Sequence, residues 1–122
     1  MIKLGTAILS ALILTGIFYL LDVPTKAGAH PLWADQVLVS GVVIGTILAV
    51  ATTPLPGRLR VIGFSVLAVL SYLVAENGKF RFAESYAEDA LAGQLWYFGW
   101  HALCIFMVAG VISSSYRQLT KP

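Results

Sequence analysis

The chain has 122 residues, a formal net charge of +2, a 58% hydrophobic composition and only 11% charged residues, with a mean hydropathy of +0.83. Ordinary soluble domains carry about 25% charged residues, and a chain this short keeps too much of its surface wet to hide so much apolar area in water. A lipid bilayer is therefore the expected solvent. The small, scattered positive charge excludes nucleic acid as a partner, and the single cysteine, Cys104, excludes an intrachain disulfide or a multi-cysteine metal knuckle.

Four hydrophobic segments follow in chain order. Segment one, about 4–21, has no charge. Lys3 and the small residues Ala27-Gly28-Ala29 mimic a leader and its cleavage site, but the apolar run is longer than the usual 7–15 residues, so it reads as a span. Segment two, about 37–53, is also uncharged and ends at Pro54. Its Gly41, Gly45 and Ala49 recur every four residues, a spacing that lets another helix approach closely. "TTPLPGRLR" (52–60) reads as a tight hairpin between antiparallel neighbours. Segment three, about 60–76, has only fifteen uncharged residues (61–75) between Arg60 and Glu76. Fifteen residues rise roughly 22 Å, short of a ~30 Å hydrocarbon core, so either both charged groups reach toward the interfaces or the membrane thins locally.

Asn77-Gly78 predicts a helix stop. Beyond it, Phe82, Ala83, Tyr86, Ala87 and Ala90 share one helical face, opposite Arg81, Glu84, Ser85 and Glu88. This pattern predicts a short amphipathic helix in the headgroup layer. A competing reading uses Ser85-x-x-Glu88 as a capping box that starts the next helix near Tyr86. Segment four, about 94–116, opens with Trp96, Tyr97 and Trp100, which with Trp33 form an interfacial aromatic belt. It also carries the small residues Gly99 and Gly110. The expected fold is all-α: a polytopic membrane protein, built as a four-transmembrane-helix bundle with a short amphipathic outer-loop helix, in one integral membrane domain.

The N-terminus, hairpin and C-terminus would share a side carrying Lys3, Arg58, Arg60, Arg117 and Lys121 and no acid. The other side carries Lys26, Lys79 and Arg81 with all six acids. Short loops rich in Lys and Arg stay in the cytoplasm, so the chain is expected in a plasma or inner membrane with both termini cytoplasmic.

Ionisable groups inside a span are functional candidates by default. His101, about two turns into segment four, has the chemistry to ligate haem, relay a proton or hydrogen-bond a quinone. The other histidine, His30, precedes a proline in a loop, so bis-histidine haem would need a partner subunit or a dimer axis; the bland alternative is a structural histidine bonded to a neighbouring helix. No cofactor is therefore expected. Asp35 and Glu76 end segments two and three on the same side. If those helices are neighbours, the two carboxylates face each other near Gln94 and His101, a polar site for a cation or a proton-coupled gate. The plain alternative is that both acids end helices at the water line. Arg81, Glu84, Glu88 and Asp89 form an outer-loop surface that is either solvated or contacts a partner. No closely spaced zinc ligands, nucleophile–base pair or nucleotide-binding fingerprint occurs. The leading expectation is a small non-enzymatic membrane subunit or accessory protein, embedded in the bilayer as a homo-oligomer or part of a larger complex. Behind it stand a small homo-oligomeric transporter using the acidic/histidine site, and a haem- or quinone-binding anchor.

Four helices with acids before the last, above all "EDALAG" (88–93), resemble the small VanZ-like envelope proteins. The Arg-spacer-Asp-spacer-Asn pattern of that type has no counterpart here, and segment one lacks the glutamate that small multidrug transporters place in their first helix. No family is assigned on these residues.

Overall fold

The computed structural model describes residues 2–120, so Lys121 of the basic cluster lies outside the described residues. Five helices follow in chain order: α1 (Ile2–Leu20), α2 (Val23–Ala27), α3 (Ala34–Ala51), α4 (Gly57–Glu84) and α5 (Ala90–Leu119). All but α2 are long and apolar enough to cross a membrane. Helices suit this solvent because each one satisfies its backbone polar groups within itself. The chain is thus an all-α bundle with four candidate spans.

α5 is the axis of the bundle. α4 packs along it most extensively, then α3, then α1; α1 also touches α3 lightly, and neither α1 nor α3 packs along α4. Small residues set these distances. A Cβ at Gly41 would lie 2.8 Å from the Cβ of Cys104, one at Gly45 would lie 2.7 Å from the Ile105 carbonyl oxygen, and one at Gly99 would lie 2.8 Å from the Cβ of Ala75. Ala49 is fully buried in the same seam. The stripe of segment two is therefore consumed inside the bundle, against α5. Gly110 is looser, with Phe64 at ordinary contact distance.

Four expectations change. The third span is not short: α4 has 28 residues and runs straight through Asn77-Gly78. Gly78 serves packing there, because a Cβ would come within 2.6 Å of the Ala92 carbonyl oxygen and the Trp96 nitrogen. At about 1.5 Å per residue α4 rises roughly 42 Å, enough to cross hydrocarbon and headgroups together. The amphipathic residues after Gly78 are accordingly the last turns of α4, with Phe82 seated over Gly93 and against Trp96, and no separate helix stands between α4 and α5. The capping box is not used either. Asp89 caps α5, its Oδ1 accepting from the Ala92 N–H at 3.0 Å, because Ser85 is already committed to ending α4.

Arg60 does not reach outward. It is 4% exposed and turns back to donate from Nη2 to the Ala49 carbonyl at 2.8 Å and from Nε to Thr52 Oγ1 at 3.4 Å. Its guanidinium lies 6.0 Å from the Tyr116 ring centroid. The last carbonyls of α3 lack helical partners and carry the negative end of the helix dipole, so the arginine closes the hairpin by capping α3.

Candidate functional site

The chemistry-bearing residues gather at the end of the bundle opposite the hairpin, where α2 and the α4–α5 turn lie. α5 supplies Trp96, Tyr97 and His101 from successive turns. Trp33 and Gln36 come from the start of α3, and His30 from the loop before it. Trp33 sits at the centre, with ring centroids 5.4 Å from Trp96, 5.3 Å from Tyr97, 6.2 Å from His30 and 6.2 Å from His101. Edge-to-face pairs at these separations each contribute about 0.5–1.5 kcal/mol beyond area burial.

His101 is tied at both ring nitrogens. Nδ1 lies 2.8 Å from the Tyr97 carbonyl oxygen, which only accepts, so Nδ1–H is the donor. Nε2 then accepts from the Gln36 amide at 3.3 Å, and the same amide also donates to the Tyr97 hydroxyl. This arrangement leaves no ring nitrogen free for a haem iron and no free N–H for a quinone carbonyl. His30 does not repair the haem set, because the Trp33 ring lies close to both imidazoles and His30 Nδ1 already accepts from the Leu32 N–H at 3.0 Å. Imidazole, amide and phenol instead form a clasp between α3 and α5.

The polar site expected from Asp35, Glu76, Gln94 and His101 is only partly assembled. α5 separates the helices that carry Asp35 and Glu76, and among the described residues no hydrogen bond or ion pair joins any two of the four. Asp35 is exposed; its neighbour Gln36 is the residue that meets His101. Gln94 borders an open hollow of about 480 Å³ with His30, Trp33, Phe82 and Tyr97. Glu76 is half-buried against the α2 loop: its Oε1 is buried without a hydrogen-bond partner and would lie 2.5 Å from a Cβ at Gly28. Gly28 takes φ 132, in the region that favours glycine. Its carbonyl accepts from Trp96 Nε1 at 3.0 Å, and the Ala27 carbonyl accepts from the Tyr72 hydroxyl at 3.4 Å, pinning α2 across α4 and α5.

The outer-loop residues form a rigid turn. The Tyr86 N–H donates to the Ala83 carbonyl and the Ala87 N–H to the Phe82 carbonyl, the two bonds of a Schellman helix stop. Ser85 Oγ donates to the Phe82 carbonyl and accepts from the Asp89 N–H, both at 2.9 Å. Arg81 pairs with Asp89 at 3.6 Å, while Glu84 and Glu88 are exposed and project freely. Such a stop normally places glycine or asparagine at its left-handed position. Here Tyr86 and Ala87 occupy it at φ 55 and 68, and Tyr86 is 92% exposed. The sequence pattern places these two residues on the apolar face of a short amphipathic helix; the structure puts them at a left-handed helix stop instead.

Gly78, Arg60 and Gln36 were also missed as packing, capping and clasp residues. Comparison with protein-family models, curated proteins and solved structures finds no match for this chain.

Proposed function

We propose that the protein is a small non-enzymatic integral membrane subunit or accessory protein whose α4–α5 turn docks on a partner, either a larger membrane complex or a second copy of the chain. The membrane is the plasma or inner membrane, with both termini in the cytoplasm and the turn on the far side. One observation carries the reading. A bulky aromatic is held fully exposed at a backbone position that costs an L-residue about 1–2 kcal/mol, and strain of this kind concentrates at functional sites. Exposed Glu84 and Glu88 flank Tyr86, so the partner surface should be apolar at its centre and basic at its rim. The transporter and cofactor-anchor readings have less support, because the acids are not brought together and both nitrogens of His101 are engaged.

The test is a photo-activated cross-linking residue placed at position 86 in native membranes, with Phe98, 62% exposed on a span, as the lipid-facing comparison. A discrete protein adduct at 86 and only lipid adducts at 98 is the expected result. Lipid adducts alone at both positions would reject the docking turn.

A further inference from the structure

At the end of the bundle opposite the hairpin, an open hollow of about 480 Å³ lies between the last turn of α4, the loop before α3 and the first turns of α5. Four aromatic side chains border it in a connected arc. Phe82 meets Trp96, Trp96 meets Trp33 and Trp33 meets Tyr97, with ring centroids 6.0, 5.4 and 5.3 Å apart. All four are only partly buried. Where α5 passes the hollow it presents Ala90 and Gly93, which add no bulk. We propose that this hollow binds a quaternary ammonium group, of the trimethylammonium kind carried by choline. Tyr86 is not among its walls, so the site stands whether or not the turn docks a partner.

Three observations select that ligand. First, successive ring planes along the arc turn by 45°, 73° and 79°. An arc that keeps turning wraps a compact, near-spherical group, whereas a flat aromatic ligand needs parallel walls. Second, no lysine, arginine, aspartate or glutamate lines the hollow. Among the described residues the cation–π contact within the chain, Arg60 on Tyr116, lies at the hairpin end. The rings therefore carry no cation of the chain's own, and the walls offer no carboxylate to a metal ion or a primary ammonium. A quaternary ammonium needs none: it has no N–H to satisfy, and aromatic faces attract it through their quadrupoles. Third, this end of the molecule carries all six acids against Lys26, Lys79 and Arg81. Arg81 is paired with Asp89 at 3.6 Å, beside the lining residue Ala90. Such a field concentrates cations at the mouth of the hollow.

The test is a tryptophan-fluorescence titration of the purified protein in an uncharged maltoside detergent. The probes are choline and its uncharged isostere, in which a tert-butyl group replaces trimethylammonium at unchanged shape. Choline should bind saturably and about fivefold or more tighter than the isostere, the size of a partly desolvated cation–π contact. Phe82→Leu keeps an apolar side chain and takes no part in the Gln36–His101 clasp. It should reduce the preference for choline about threefold while leaving the isostere's affinity unchanged; a packing role alone would not separate the two probes. Ala90→Phe, at an exposed position, fills the hollow and should abolish saturable choline binding while the helical circular dichroism spectrum is retained. Nanodiscs then distinguish the source of the group. Choline binding that is weaker in phosphatidylcholine than in phosphatidylethanolamine assigns it to a lipid headgroup, and equal binding in both assigns it to a free solute. Non-saturable binding, equal affinity for choline and isostere in the unaltered chain, an unchanged preference in Phe82→Leu, or undiminished binding by Ala90→Phe would each overturn the proposal.

Discussion

The flanks of α5 are built differently. On the tight flanks, one toward α3 and one toward α4, the helices lie so close to α5 that backbone meets backbone, through Gly41 and Gly45 in the first seam and Gly78 and Gly99 in the second. On the loose flank, α1 rests on α5 with 11% of its span buried, against 39% for α5, and with a cavity of about 310 Å³ beside it. Gly5 and Gly16 of α1 have nothing within 4 Å of where a Cβ would stand. In lipid, helices gain little from hiding apolar side chains from one another, so close packing and hydrogen bonds decide association. The contrast therefore separates a rigid three-helix unit from a more weakly held fourth helix.

The sharpest way to break this contrast is to put the same side chain into both flanks. Gly45→Leu should destabilise the bundle by about 3 kcal/mol or more in denaturant-driven unfolding from micelles, because the obstacle is the α5 backbone at Ile105 and the Val108 side chain. Gly16→Leu should leave stability within about 0.5 kcal/mol. Equal effects would mean that the seams do not differ. Arg60→Met tests the hairpin end of the tight flank. It removes the cap on Ala49 while keeping an aliphatic stem, and a loss of about 1–2 kcal/mol is expected in the same assay.

Tyr86→Gly relieves the left-handed strain at the turn joining α4 to α5. It should raise stability by about 1 kcal/mol while abolishing recovery of the proposed partner in pull-down from solubilised membranes. A variant that is more stable and still recovers the partner would leave the strained tyrosine without a purpose. The smallest effect is expected on the loose flank, where Ser10 and Ser115 share a hydrogen bond at 3.1 Å between α1 and α5. Ser115→Ala should cost about 0.6 kcal/mol, the average for such bonds in membrane bundles, read as a small increase in hydrogen exchange confined to α1.

Much of the architecture was legible because insertion into lipid depends on local properties: run length, absence of charge and the prolines of the hairpin mark the four spans whatever packs against them. Less of the site was legible. Asp35, Glu76, Gln94 and His101 were grouped on the premise that segments two and three are neighbours, and α5 lies between them. Gly78 has the same local signature as a helix stop, and only the nearness of Ala92 and Trp96 makes it a packing residue.

The amino-acid sequence by itself determined the solvent, the helical class and the number of spans, because each follows from the hydropathy of a contiguous segment. Tertiary structure alone decided which helix is central, that Gln36 holds His101, that Arg60 turns inward and that a cavity lies beside α1. The reason is physical: in a bilayer the lipid-facing and bundle-facing sides of a helix are both apolar, so hydrophobic periodicity carries little information on rotation about the axis. That rotation is set by contacts between residues far apart in the chain.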